Sequence, residues 1–231
     1  MTDLPPPQLV RCYVVVQCTN VVAKPLCYTV VRSRFSSEER ITQVTATLAS
    51  IRKYDKDPQS KILLVEVSDL NPGQERRIQE AVQTWGATYL NLSMFPDIAE
   101  QRDSPFKGAT ELRVLEYVMA LGYVAPTDYL IKVSGRYTLT EDFQPESWVT
   151  EKERFIVRAF GDSTSTILYG VPPALRTLFE QRLQTTIAVT ARANISIEDV
   201  LFQGMAAHYQ DRSPLGVEGH TAPGDGISCR I

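Results

Sequence analysis

Lys61-Ile62-Leu63-Leu64-Val65-Glu66-Val67 is the stretch on which the reading of this chain turns: an unbroken apolar run holding a single acid. A strand with one wetted face alternates apolar and polar side chains. One that stays apolar at successive positions is buried on both faces, the habit of a parallel sheet covered by helices. The flanks agree. Upstream, Ser36 and Glu39 fit a capping box, and Ile41, Val44, Leu48 and Ile51 then recur at helical spacing. Downstream, 72–85 reads as a helix with Ile78, Ala81, Val82 and Trp85 on its face, and 87–92 as a short strand.

Working outward, 11–17 (RCYVVVQ) is the first strand, and 27–32 (CYTVVR) is a second, short one. Residues 93–107 read as a polar, proline-bearing loop. A helix at 108–121 carries Leu112, Leu115, Val118 and Met119 and leads into the strand 128–133 (DYLIKV). A strand-rich stretch at 154–169 interrupts the alternation. Helices at 172–185 and 196–209 follow, then a Gly- and Pro-rich tail at 213–226. This order predicts an α/β fold: one Rossmann-like domain over 10–231, with a mostly parallel central sheet, helices on both faces, and 1–9 as a flexible lead-in.

Composition narrows the function. The chain has 231 residues, 43% apolar and 22% charged, enough for an ordinary globular core. A formal net charge of −3 argues against a nucleic-acid-coating protein, which needs a clustered positive excess, but leaves room for a basic pocket around one diphosphate. Cys12, Cys18, Cys27 and Cys229 form no CxxC pair, so buried free thiols are expected ahead of disulfides or zinc, and with them a cytoplasmic setting. MTDLPPPQLV is not a signal peptide, and no stretch approaches the ~18 apolar residues of a membrane span.

Ligands of open α/β sheets bind beyond the carboxyl ends of the strands, which directs attention to four places. At Glu66-Val67-Ser68-Asp69 an acid and a hydroxyl either meet a base or ribose edge or begin a turn. Lys107 precedes the helix at 108, where a cation opposes the dipole; it either joins the amides in holding a phosphate or is simply exposed. Lys132-Val133-Ser134-Gly135-Arg136-Tyr137 sets two cations about a glycine that permits close backbone approach. The structural alternative pairs both with carboxylates. Ser196 is a natural N-cap, with Glu198 and Asp199 either stabilising a first turn or supplying a carboxylate base. His208 lies near the far end of that helix.

In order, the segments FSSEERITQVTATLASIR, ILLVEVSDL, FKGATEL, YLIKVSGRYTL and SIEDVLF resemble GT-A-type glycosyltransferases of bacterial surface-glycan clusters and of large DNA viruses. The likeness spans about residues 10–220, and K-x-S-G-R-Y is its most specific part. The resemblance implies transfer of a sugar from a nucleotide-diphosphate donor, UDP- or GDP-linked, to a hydroxyl of a glycan acceptor. It places Thr19, Asn20, Glu66 and Ser68 near the nucleoside, and Lys107, Lys132, Ser134, Gly135 and Arg136 near the diphosphate. Glu198 or Asp199 would deprotonate the acceptor in an inverting reaction, and a late loop carrying His220 would close over the donor, with His208 nearby. The sequence departs from the family at one point. Val133-Ser134-Gly135 stands where many GT-A enzymes carry an Asp-x-Asp pair for Mn²⁺ or Mg²⁺. The expectation is that Lys132 and Arg136 neutralise leaving-group charge, with a divalent metal held weakly or not at all. That departure keeps open an inactive GT-A-like module that binds a nucleotide or glycan. A nucleotidyltransferase is disfavoured, because Cys18-Thr19-Asn20-Val21 contains no glycine-rich loop. The chain could also be one domain of a larger synthase.

Overall fold

A computed structural model describes residues 9–22, 24–26, 31–105, 108–190, 195–221 and 228–231. Its centre is a seven-stranded sheet. Strand β1 (Arg11–Gln17) lies between β2 (Lys61–Glu66) and β4 (Tyr129–Ser134) and runs parallel to both, with β3 (Thr88–Asn91) parallel beyond β2. On the other side the order continues through β9 (Leu168–Val171), β6 (Phe155–Val157) and β10 (Tyr209–Asp211). Of the seven, β9 alone runs against the others, since it is antiparallel to β4 and β6 while β10 is parallel to β6.

Successive residues of the central strands feed two different cores, as a sheet covered on both faces requires. Cys12, Val14, Leu63 and Val65 pack toward helices α4 (Gly108–Ala120) and α6 (Arg176–Thr190). Tyr13, Val15, Ile62 and Leu64 pack toward α1 (Ser37–Tyr54) and α2 (Pro72–Thr84). Ile41, Val44, Leu48 and Ile51 of α1 are 0–2% exposed, each burial contributing roughly 1.5–3 kcal/mol. Both helices begin at capping boxes: Ser36 with Glu39, and Asn71 with Gln74 ahead of Pro72.

Helix α1 also carries the second sheet. The Thr47 hydroxyl donates to the Tyr137 carbonyl (2.8 Å) and the Ser50 hydroxyl accepts from the Leu139 amide (2.9 Å). These bonds fix β5 (Tyr137–Leu139), the edge of a three-stranded antiparallel sheet with β11 (Val217–His220) and β12 (Ser228–Arg230). Gly216, at φ +81°, lets the chain enter β11 where a Cβ would lie 2.2 Å from the Phe143 nitrogen. At the amino end of β1, away from the cleft described below, Asp55 accepts from Arg11 Nε, Tyr13 Oη and Ser60 Oγ, each at 2.7 Å.

The architecture agrees with the expected α/β, mostly parallel, two-faced sheet, while several local expectations need correction. Residues 93–107 are not all loop: α3 (Pro96–Asp103) forms there, burying only Ile98, too little apolar pattern to betray a helix. The helix expected over 172–185 starts as a 3₁₀ turn at Pro173–Leu175 and runs on to Thr190. The helix expected over 196–209 is the four-residue α7 (Ile197–Val200), ended by turns in which Gly204 sits at φ +71°. The tail at 213–226 contributes β11. A short α5 (Pro145–Val149) and a hairpin of β7 (Ala159–Phe160) with β8 (Ser163–Thr164) complete the elements. Of the strand expected at 27–32, residues 27–30 lie outside the described residues, and Val31 and Arg32 are not in a strand. Most of the lead-in, 1–8, and Lys107 also lie outside them. Among the described residues no helix is long and apolar enough to cross a membrane.

Candidate active site

The carboxyl ends of β1, β2 and β4 open into a cavity of about 560 Å³, the position where open α/β sheets bind ligands. Its floor comes from the strand ends: Val16, Gln17 and Cys18 after β1, Val67 after β2, Ser134 and Arg136 after β4. Gly108, Thr110 and Glu111 from the first turn of α4 form one wall, and Ile195 to Asp199 with Thr166 and Ile167 form another. Arg40 from α1, Arg102 from α3, and Arg32, which donates to the Arg102 carbonyl (2.7 Å), complete the lining. Apolar walls thus enclose four guanidiniums and three carboxylates, the mixture of shape and few polar groups typical of a small-molecule site.

The two walls meet closely. A Cβ on Gly108 would lie 2.7 Å from Ile197 Cγ2, so the start of α4 rests directly on α7. Gly135 is tighter still: its amide donates to the Val16 carbonyl (3.0 Å), and a Cβ would lie 2.6 Å from Gln17 Oε1. Only glycine fits this close approach, and Arg136, next in the chain, lines the cavity.

Glu198 and Asp199 both line the cavity but differ in their surroundings. Glu198 Oε1 accepts one hydrogen bond, from the Thr166 hydroxyl (2.8 Å). Asp199 is bound at both oxygens, by Ser163 Oγ and by Ser196 Oγ (2.8 Å). These hydroxyls hold its carboxyl below the usual carboxylate range. Ser196 occupies the N-cap position, yet its side chain goes to Asp199 and makes no capping bond to the helix backbone.

Lys132 is placed differently from the expectation. It lies in the interior beneath the floor, 0% exposed. Its Nζ binds Glu111 Oε1 (2.7 Å), Ser134 Oγ (2.8 Å) and the Thr166 carbonyl. Burial drives both charges toward neutrality, Lys132 below and Glu111 above their usual values, while their mutual attraction opposes both shifts. The lysine therefore orders the residues around the cavity from below: Glu111 and Ser134 directly, and Glu198 through Thr166.

Thr19, Asn20, Glu66 and Ser68 come together, but in the wall behind the cavity rather than among its lining residues. Glu66 is 0% exposed and accepts from the Thr19 amide (3.0 Å) and hydroxyl (2.6 Å) and from the Ser68 amide (2.8 Å) and hydroxyl. Burial raises its pKa against the pull of these donors. Asn20 bridges Ser68 (2.9 Å), Gln74 (2.9 Å) and Ser37 (2.6 Å). The group ties the loop after β1 to the loop after β2. Exposed His220 lies beside Phe35, its ring centroid 6.3 Å away, and is not among the lining residues, though Thr221 is. His208 is exposed in the 3₁₀ turn ahead of β10, outside the lining set.

Sequence reasoning missed Arg32, Arg40, Arg102, Glu111 and Thr166. One signal was available: Arg40 is a cation in the first turn of a helix, against the dipole, the same oddity that drew attention to Lys107.

The donors that the described residues bring to this cavity do not suit a divalent metal. Among the described residues no three His, Cys, Asp or Glu side chains converge. After β4, where many GT-A enzymes carry a carboxylate pair, the cavity receives Ser134 and the Arg136 guanidinium, which repels a cation.

No known family pattern matches the sequence, and no curated protein matches it. Solved structures do share the fold. The galactosyltransferase LgtC, determined with donor and acceptor sugar analogs, is 9% identical, with a TM-score of 0.54 over 92% of this chain and 87% of that one. An active-site mutant of LgtC gives the same identity and TM-score, and covers 88% of its chain. Mouse xyloside xylosyltransferase 1, in its apo form, is 9% identical with a TM-score of 0.50 over 88% of this chain and 85% of that one. The seven-stranded, mostly parallel sheet with its covering helices is a Rossmann-like fold of the GT-A type.

Proposed function

We propose that this chain is a glycosyltransferase that moves a sugar from a nucleoside-diphosphate donor, UDP- or GDP-linked, to a hydroxyl of a glycan acceptor. One observation carries the reading: a cavity at the strand ends that sets guanidiniums against a carboxylate, Glu198, able to accept a proton. The likeness in fold to sugar-transferring enzymes supports it.

On this reading Glu198 takes the proton of the acceptor hydroxyl. The acceptor oxygen forms its bond to the anomeric carbon as the bond from that carbon to the phosphate oxygen breaks, with inversion. The nucleoside diphosphate leaves with the electron pair. Glu198 suits the task better than Asp199, whose two hydroxyl donors stabilise the ionised form and weaken it as a base. No step runs through a metal.

The absent Asp-x-Asp pair favours one other reading, an inactive binding module, and one variant separates the two. With the donor found by screening nucleotide sugars for thermal stabilisation, Glu198→Gln should lower nucleoside-diphosphate release by about 10²–10⁴-fold and leave donor affinity unchanged. Unaltered turnover in the variant would remove Glu198 as the base. Donor binding with no turnover in the unmodified chain, against a broad acceptor panel, would select the binding module.

A further inference from the structure

The cavity collects polar atoms that nothing among the described residues satisfies. Arg40 Nε, Arg136 Nε, Thr110 Oγ1 and Gln17 Oε1 are buried without a hydrogen-bond partner, and all four residues line the same space. Native proteins leave few such groups, and each calls for an explanation. Three of the four atoms are donors or hydroxyls.

The two arginines add charge to the problem. Arg40 is 2% exposed. Its terminal nitrogens donate to the Cys18 carbonyl (3.0 Å) and Ser33 Oγ (2.7 Å), both uncharged. Neither Arg40 nor Arg136 forms an ion pair with a carboxylate among the described residues. The nearby acids are committed elsewhere: Glu111 to Lys132, Glu66 to Thr19 and Ser68, Glu198 to Thr166. Burial first, and then the charge of Arg136, lowers the pKa of Arg40, so the two cations feel each other. A like-charged pair facing one cavity is costly until an anion enters.

We infer that Arg40 and Arg136 are the seat of the donor's diphosphate, and that they hold it without a divalent cation. The inference rests on the transferase reading and deepens it. Guanidinium forks suit phosphate oxygens, the Thr110 hydroxyl supplies another donor, and the first turn of the thirteen-residue α4 borders the same space. The fixed positive charge that a metal would bring to the leaving group comes here from the protein.

Calorimetric titration with UDP, GDP, inorganic pyrophosphate and the two free nucleosides, each in EDTA and in Mn²⁺, tests this. The expected result is nucleoside-diphosphate binding that EDTA leaves intact, competition by inorganic pyrophosphate, and much weaker binding of the nucleosides. Arg136→Gln, at a half-buried residue, should weaken UDP or GDP by about tenfold or more. Since removing buried Arg40 could unsettle the fold, Arg40→Lys serves there: it keeps the charge, loses the fork, and should also weaken binding. Binding that requires Mn²⁺, or that neither variant alters, overturns the inference and leaves the transferase reading standing. No binding of any nucleoside diphosphate under either condition overturns both.

Discussion

Replacing Lys132 by methionine keeps nearly the length and volume of the side chain while deleting its charge, so no cavity opens and the measured cost is that of the ammonium's ion pair and hydrogen bonds. Lys132 Nζ holds Glu111 at 2.7 Å, Ser134 Oγ at 2.8 Å and the Thr166 carbonyl. Removing one partner of a buried pair costs about 3–5 kcal/mol, because the other charge is left stranded. Glu111 keeps 20% of its side chain exposed toward the cavity, so water recovers part of its solvation and the lower figure, about 3 kcal/mol, applies. For a chain of this length that is a fall of roughly 6–12 °C in Tm. Glu111→Leu strands an ammonium with no exposed surface and should cost more. The double variant, Lys132→Met with Glu111→Leu, replaces the pair by apolar groups and should be more stable than the sum of the singles predicts, by roughly 2 kcal/mol. Urea and thermal unfolding followed by circular dichroism measure all four proteins. Single effects that simply add, or a Lys132→Met variant within about 2 °C of the unmodified chain, would refute the ion pair as the organiser of the cavity floor.

Two further outcomes follow from the titrating groups. Burial pushes Asp55 up, but hydrogen bonds from Arg11, Ser60 and Tyr13 together hold it below its usual value. The native state therefore binds fewer protons there than the unfolded state. That stabilisation is complete above the ordinary carboxylate pKa and is lost as pH falls through about 4 and below. Asp55→Asn should cost about 3 kcal/mol at neutral pH and progressively less as pH falls below about 4, read from urea midpoints; a gap that stays constant with pH would contradict this. Cys12 and Cys18 are free thiols whose pKa values burial pushes up to about 12 and about 11. In a Cys27→Ser/Cys229→Ser background, a thiol reagent at about pH 8 should leave the native protein unlabelled until denaturant is added. Rapid native labelling would contradict the raised thiol pKa values.

Much of the fold was legible because its cause is local and periodic. The unbroken apolar run of β2 can only be buried on both faces, and Ile41, Val44, Leu48 and Ile51 can only form one stripe on a helix. Ser36 and Glu39 marked the start of that helix as they stand in the chain. Short elements were illegible for the opposite reason. Helix α3 buries one apolar residue, and α7 ends after four because turns with Gly204 at positive φ follow.

For the site, sequence alone determined that Glu198, Asp199, Ser134 and Arg136 stand near strand ends or at a helix start, where an α/β sheet offers a cleft, and the structure lines one cavity with all four. What each polar group does depends on partners far away in sequence, and only the tertiary structure decided that. Lys132 looked like a phosphate ligand but is buried against Glu111. Glu66 looked like a nucleoside contact but is saturated by Thr19 and Ser68. Arg40, unremarked in its helix, faces the cavity beside Arg136 with no carboxylate partner among the described residues. Periodicity encodes which side of an element is buried, whereas a charge acquires its role from whatever the fold brings within a few ångströms of it, and no spacing along the chain records that distance.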